Sequence, residues 1–472
     1  GCPVKLVLSR RQMYSLNGHR PSTTQTVTLG SDRRGRLKAT RHLCGTYTSK
    51  VFEYIEPVVL STQLLYKCSS LQTGFDLARM NTGTPTPMRG PGETPGLFAL
   101  ESAMDELAFA TGTDSVELRK RNYAERDPRT NNRQPWSSKH LDQCYVRGAE
   151  EFGWKDRPKK PASRRDGRWL IGYGMASATY PAQNASSSVT VSLTADGRAE
   201  IKVASHDLGT GTYTILAQVA GEALGIPVEG VDVRLGDSEY PSGSGSGGSF
   251  GAASSASSVA LACEDIVAEL ARRMGAPSAD MTLKDGHAIA GNRRVALSEL
   301  VGGSPIEGLG TIEPGSNSAS WSQSTHGAQF AEVAVHAVTG EVRVRRMLAV
   351  FDCGRVLNHR TARSQAIGGM IWGIGYALHE HAVVDPRTGA YVNRDLAEYH
   401  VPANADVPQI EAFFIEEIDR QANPVGAKGL GEAGISGAGA AVANAVHDAC
   451  GVRVRDYPIT PDKLLAGLPP VR

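Results

Sequence analysis

Strand-like alternation and helical periodicity interleave along the whole 472-residue chain, which predicts a mixed α/β protein. Three glycine-rich loops, each running straight into a helical stretch, suggest that these layers surround a ligand. Length adds that the chain holds two or three domains, at roughly 150 residues each.

The elements follow in order. Alternating polar and apolar residues predict strands at Val4–Ser9, Thr24–Gly30 and Lys38–Tyr47, the first reading as a buried one. Glycines and prolines between Gly83 and Gly92 form a rigid lead into a helix over Pro95–Thr111, where Leu97, Leu100, Met104, Leu107 and Ala108 share a face. The polar, basic stretch Asp156–Gly167, with Lys159, Lys160, Arg164 and Arg165, reads as a solvated linker between a first domain (1–155) and a second (168–472). In the second, strands at Trp169–Gly172, Ser188–Leu193 and Glu200–Ser205 precede a helix at Tyr213–Leu224 and a short strand at Val231–Leu235. A Gly/Ser stretch, Ser242–Gly251, then feeds a small-residue helix over Ala252–Met274. Strands at Phe330–His336 and Val342–Ala349, a helix at Arg363–His381 and a Gly/Ala-rich helix at Gly437–Cys450 complete the series. There is no short repeat of fixed period.

Fifty basic residues against 49 acidic ones leave a formal net charge of +1, which is no footprint for nucleic acid. With 40% hydrophobic and 21% charged residues the chain reads as soluble and globular. No apolar run reaches the roughly 20 residues of a membrane span. The seven cysteines contain no C-x-x-C pair, so they suit neither a zinc knuckle nor an iron–sulfur cluster and read as reduced structural thiols.

The three loops are Asp207–Thr214, Ser242–Gly251 and Lys428–Gly434. Glycine-rich backbone entering a helix presents free N–H groups and a positive dipole end to an anion. None ends in the Gly-Lys-Ser/Thr of a P-loop and none reads G-x-G-x-x-G, so they point to an anionic cofactor without naming it. The Ser242–Gly251 stretch also admits a bland reading as a flexible linker.

Further motifs stand around these loops in a fixed order. Met88-Arg89-Gly90-Pro91-Gly92 is followed by Gly96–Glu101 and Met104–Ala108, then by Gly209–Thr212 and Gly247–Gly251. Val350-Phe351-Asp352-Cys353-Gly354, Asn358 and Ser364–Gly369 come next, and Gly426–Glu432 leads to Ala443-Asn444-Ala445. In this order and spacing the chain resembles, over essentially its whole length, the molybdopterin-binding subunit of the xanthine dehydrogenase/aldehyde oxidase family, in particular the bacterial aldehyde-oxidising branch.

The resemblance implies two intertwined, elongated molybdopterin-binding domains of mixed sheets and helices, the first incomplete at its N-terminus. It implies molybdenum held by a pterin dithiolene, as the cytosine dinucleotide, with no side-chain ligand to the metal. Glu432 takes the role of general base toward a metal-bound hydroxide, and an aldehyde leaves as the carboxylic acid with water as oxygen source. By itself Glu432 would read as a carboxylate favouring a helix dipole. The resemblance sets Arg89 and Gly90 beside the molybdenum, where the bland alternative for Arg89 is a loop brace. Gly209, Thr210, Gly211 and Thr212, together with Gly247, Gly248, Ser249, Phe250, Gly251 and Gln365, would cradle the pterin and its phosphates. Lys428 would hold the loop bearing Glu432, unless it is a surface ion-pair partner, and Gly429, with Gly431 and Gly434, would leave room for the cofactor and substrate to approach; Lys428 and Gly429 both count among the cofactor-binding residues. His206, His326, His379, His381 and His447 read as packing or capping residues.

Two departures favour aldehydes over purines. Thr210 stands where xanthine-type enzymes place a glutamine, and Phe52–Leu65 contains no arginine. The alternatives are hydroxylation of an aromatic N-heterocycle and a non-catalytic cofactor-binding fragment, the latter because the family's N-terminal domain with its Gly-Gly-Phe-Gly loop is not in the chain. A metal-independent hydrolase lacks a G-x-S-x-G elbow. Without cluster-binding cysteines the chain calls for an iron–sulfur partner and an FAD subunit. The cytoplasm is the default compartment, with export directed by a partner's signal as the alternative.

Overall fold

A computed structural model describes residues 2, 4–130, 134–315 and 318–470. Its centre is a five-stranded sheet in the order Gln409–Ile415, Val342–Asp352, Ser324–His336, Trp169–Pro181, Arg165–Asp166. Neighbours are antiparallel except Val342–Asp352 and Gln409–Ile415. The expected strand at Trp169–Gly172 runs on to Pro181 because both faces of the sheet are covered, so its sequence is apolar or small throughout rather than alternating.

Alternate residues of this strand serve two different cores. Leu170, Ala176, Ala178 and Tyr180 pack toward the helices His359–Leu378 and Ala438–Cys450. Ile171, Tyr173 and Met175 pack against Leu97, Leu100 and Met104 of the helix Glu93–Thr111 and against Cys144 and Tyr145 of the helix Leu141–Phe152. The first 155 residues therefore share a core with the sheet of the second part. Gly172 and Gly174 let the helix Ala438–Cys450 lie directly on the strand: a Cβ at either would come within 2.2 Å of Ala445 backbone.

A four-stranded sheet, Ile306–Ile312, Ser187–Leu193, Ala199–Val203, Val231–Leu235, forms the second layer. It carries the helices Thr212–Leu224 and Gly251–Met274, with Gly308 and Gly310 tight against the backbone of Ala262 and Ser258. A three-stranded sheet of Thr23–Ser31, Leu37–Ser49 and Ser70–Met80 belongs to the first part. A small sheet of Met281–Lys284, His287–Ala290 and Arg293–Ala296 completes the set.

Mixed α/β layering is what the sequence predicts; several local expectations need correction. Val4–Ser9 is not a buried strand. Val4, Leu6 and Val7 are 92%, 86% and 73% exposed, no described segment pairs with them, and a capping box of Ser9 and Gln12 starts a helix at Arg10 instead. The helix expected from Arg363 starts at His359, where Asn358 caps it by accepting the Thr361 N–H at 2.9 Å. The Gly/Ala-rich helix expected at Gly437–Cys450 is present as Ala438–Cys450, and a separate short helix, Ala433–Ser436, precedes it. Within the stretch Asp156–Gly167 residues 159, 160 and 163–167 are exposed, but Arg157 is anchored on the buried Asp448 at 3.2 Å.

Candidate active site

The segment Gly426–Glu432 crosses the end of the central sheet and is fastened there. Lys428 N–H donates to the Cys353 carbonyl at 2.7 Å, and Arg355 N–H to the Gly426 carbonyl at 2.7 Å. The Lys428 ammonium turns inward to Asp352 (3.0 Å) and Ser138 Oγ (2.9 Å), with both ionic side chains 0% exposed. Asp352 also accepts the His140 N–H at 2.7 Å, which ties the same point to the start of the helix Leu141–Phe152. Lys428 is thus a buried clamp and not a surface ion-pair partner.

Beyond the clamp the loop borders a cavity of about 490 Å³. Three helix N-termini open on it, those of Thr212–Leu224, Gly251–Met274 and His359–Leu378. Phe250 gives the second no side-chain cap, so first-turn N–H groups and a positive dipole end are left there for a ligand, whereas the Asp207 carboxylate already stands at the start of the first. A Cβ at Gly245 or Gly247, both on the wall, would meet nothing within 4 Å, so bare backbone faces open space there. Gly429 has the opposite reason to be glycine: a Cβ would stand 2.0 Å from the Ser249 carbonyl oxygen, so two loops lie backbone to backbone. Ser249 adopts φ +57°, an uncommon conformation for a side-chain-bearing residue, and its Oγ accepts the Glu432 N–H at 2.8 Å.

Glu432 is the chemically exposed group of this arrangement. Its Oε2 is buried and has no hydrogen-bond partner, while the Tyr180 hydroxyl lies against its carboxyl. Burial raises its pKa above the ordinary carboxylate value; Tyr180, then the Arg89 and Arg20 guanidinium groups and the Gly248 N–H, pull the other way. Arg89 donates to the carbonyls of Gly431 (Nε, 2.7 Å) and Gln365 (2.9 Å) and lies over the Trp372 ring. It thereby braces the Glu432 loop against the helix His359–Leu378.

The cavity wall includes Arg89, Thr210, Thr212, Gly247, Ser249, Gly251, Gln365, Lys428, Gly429 and Glu432. Gly90, Gly209, Gly211, Gly248 and Phe250 stand behind it. Gly90 packs on Thr94 and Ile435, and the Phe250 ring covers Gly248. The N–H groups of Gly209, Thr210 and Gly211 all point at Asp207 Oδ1, at 2.8, 2.9 and 3.3 Å, and are therefore engaged within the protein. Buried His326 stacks edge-on to Trp136, as a packing residue would.

Several wall or near-wall groups were not singled out from the sequence: Tyr180, Trp372, Arg355, Thr361 and the buried Glu93. Asn358 and the paired helix starts carried a capping signal; the others are defined only by the fold. Among the described residues no group of three or more His, Cys, Asp or Glu is arranged to hold a metal ion.

Residues 147–408 and 1–123 each match a family model described as a molybdopterin cofactor-binding domain. The aldehyde oxidoreductase molybdenum-binding subunit PaoC of Escherichia coli K12 is 44% identical over 471 residues, covering 99% of this chain and 64% of that protein. The putative xanthine dehydrogenase molybdenum-binding subunit XdhA of the same bacterium is 30% identical, over 99% of this chain and 66% of its own length. Quinoline 2-oxidoreductase from Pseudomonas putida 86 superimposes with a TM-score of 0.88 at 24% identity, over 98% of this chain and 64% of that one. The aldehyde oxidoreductase from Desulfovibrio gigas does so with 0.81 at 22%, over 98% and 50%. These two structures speak to the fold alone. The chain spans 64% to 66% of the length of these two curated relatives.

Proposed function

Because the chain belongs to the molybdopterin-binding subunits of the xanthine dehydrogenase/aldehyde oxidase family, we propose that its parent protein oxidises aldehydes to carboxylic acids, with Glu432 as general base. The observation that carries this reading is the unpaired, buried Oε2 of Glu432 at a cavity on which three helix N-termini converge. Aldehydes are favoured over purines because the relative at 44% identity is an aldehyde oxidoreductase subunit and the xanthine-type one stands at 30%.

The cavity suits a molybdenum–molybdopterin cofactor in the cytosine dinucleotide form. An extended anionic ligand needs a dipole end and bare backbone, which the start of Gly251–Met274 and the Gly245–Gly251 loop offer. Thr210, Thr212, Asn358, Thr361 and Gln365 would supply side-chain hydrogen bonds to it. When bound, the cofactor supplies a two-electron acceptor and the Lewis acidity that makes water nucleophilic.

The remaining work falls to the protein. Glu432 Oε2 accepts the proton of the oxygen that attacks the aldehyde carbon. Burial makes it a better base than a solvated carboxylate, while Tyr180 and Arg89 pull its pKa back toward the ordinary value. Ser249 Oγ holds the Glu432 backbone, and the Lys428 clamp fixes the loop from the sheet side. Electrons pass to an iron–sulfur subunit, accompanied by an FAD subunit.

Glu432→Gln in the full-length protein assembled with its partners tests this. Molybdenum content should stay, while aldehyde-dependent dye reduction falls by about 10²–10⁴-fold, the usual cost of a lost general base. A variant that turns over normally, or a wild type without molybdenum, removes the assignment.

A further inference from the structure

Glu432 hangs from a peptide plane that is held at both edges. The Gly431 carbonyl accepts Arg89 Nε at 2.7 Å, and across the same plane the Glu432 N–H donates to Ser249 Oγ at 2.8 Å. A peptide unit is rigid, so its orientation is set by rotation about the single bonds on either side of it. On one side that bond belongs to Gly431, which has no Cβ to resist the turn. A plane that loses one grip is free to swing about the other and to carry the Glu432 side chain with it.

The grip from Ser249 comes with backbone strain. Of the three described non-glycine residues with positive φ (Ala162, Ser249 and Asp285), Ser249 alone borders the cavity, at φ +57°. It stands in a run of glycines, Gly247, Gly248 and Gly251, and Gly248 itself has φ +55°. One more glycine would satisfy this backbone without strain. Among the described residues the Ser249 hydroxyl makes a single hydrogen bond, the one to Glu432. The fit around it is close. A Cβ at Gly431 would stand 3.4 Å from Ser249 Oγ, and one at Gly429 would stand 2.6 Å from Ser249 Cβ. The hydroxyl therefore reaches the plane because the two loops lie backbone to backbone.

We propose that Ser249 is a positioning residue: its hydroxyl locks the Gly431–Glu432 peptide plane opposite Arg89 and so fixes where the Glu432 carboxyl stands in the cavity. That bond is what a serine supplies here and a glycine does not. The proposal rests on Glu432 being the base. Ser249 acts through the plane from which the base hangs and need not touch the reacting atoms. A base displaced by about 1 Å loses about 100-fold in rate. A swinging plane therefore lowers kcat while the aldehyde still binds, which leaves KM in place.

Ser249→Gly and Ser249→Ala separate the hydroxyl from the backbone, since both lose the bond and only the glycine also sheds the strain. In the full-length, molybdenum-loaded assembly, with benzaldehyde as probe, both should lose about 10- to 100-fold in kcat, with KM and molybdenum content near wild type. Stability should order differently, Ser249→Gly melting above Ser249→Ala. A second readout needs no cofactor: hydrogen exchange at the Glu432 amide in the metal-free protein. Exchange should run about fivefold faster or more in Ser249→Gly, the worth of one hydrogen bond. A Ser249→Gly enzyme with wild-type kcat, or one whose Glu432 amide exchanges as in wild type, overturns the proposal. A kcat loss confined to Ser249→Ala does so too, because the backbone and not the hydroxyl would then matter. If both variants fail to fold or to load metal, the metal-free wild type decides: an unprotected Glu432 amide refutes the lock, and a protected one supports it. An active Glu432→Gln sinks the base assignment and leaves the exchange result standing, so the two failures are distinguishable.

Discussion

Lys428→Met removes one partner of a fully buried ion pair and leaves the other. Lys428 Nζ and Asp352 Oδ1 are 3.0 Å apart with both side chains 0% exposed, so water cannot take over the lost partner. A buried pair broken in this way costs about 3–5 kcal/mol, most of it the penalty of an uncompensated charge. The hydrogen bond to Ser138 Oγ adds about 1 kcal/mol, and the His140 N–H that stays on Asp352 offsets part of the total. The net expectation is therefore about 3–5 kcal/mol, against the 0–1 kcal/mol typical of an exposed pair. Urea unfolding of Lys428→Met, Asp352→Asn and the double variant, followed by tryptophan fluorescence, measures it. The double variant carries neither charge of this pair and should cost at least about 2 kcal/mol less than the sum of the singles. If Lys428→Met costs under about 1 kcal/mol, or the two changes simply add, the clamp is not what holds the Glu432 loop to the sheet.

Asp207→Ala frees three backbone N–H groups of the Gly209–Gly211 turn; the turn should loosen, and molybdenum retained through gel filtration should fall while the melting point shifts little. Gly429→Ala drives a methyl into the Ser249 carbonyl, so the two loops must part; metal content and activity should fall together, with a stability loss of about 1–3 kcal/mol. Glu432→Gln should also change the pH dependence of stability. The folded pKa is raised by burial, so wild type pays nothing while the group is protonated and loses stability as pH rises through the folded value. The variant should therefore melt above wild type at pH 8 with the gap closing toward pH 4, and a gap that widens in acid would refute the sign.

Local signals carried much of the fold. The helices at Glu93–Thr111, Thr212–Leu224 and Gly251–Met274 fall within two residues of where periodicity and glycine punctuation set them. The helix Leu141–Phe152 was not read from the sequence, although Leu141, Cys144, Tyr145, Gly148 and Phe152 recur at helical spacing. Other elements had no such signal. Ser70–Met80 is exposed or half-buried along its length and is a strand because Leu37–Ser49 pairs with it in parallel. Val4–Ser9 shows the converse, an alternating segment that finds no partner among the described residues. The candidate site divides the same way. Glycine-rich loops announce where backbone faces a ligand, whereas Tyr180 is one residue of a strand and Glu93 one carboxylate at a helix start. Their surroundings come from residues 20, 54, 56 and 432, which only the fold assembles.

What makes Glu432 more than a helix-start carboxylate is that its loop has no slack. Lys428 pins one end to the central sheet through Asp352, and Arg89 pins the other through the Gly431 and Gln365 carbonyls. Between these points Gly429 touches Ser249 backbone to backbone, and Ser249 Oγ receives the Glu432 N–H. Four restraints on five residues hold the backbone that carries the carboxyl, whose Oε2 is unpaired at the cavity. The restraints therefore act on one atom. Losing either pin should displace the same oxygen, so changes at Lys428 and Arg89 should be far less than additive in rate while remaining close to additive in stability.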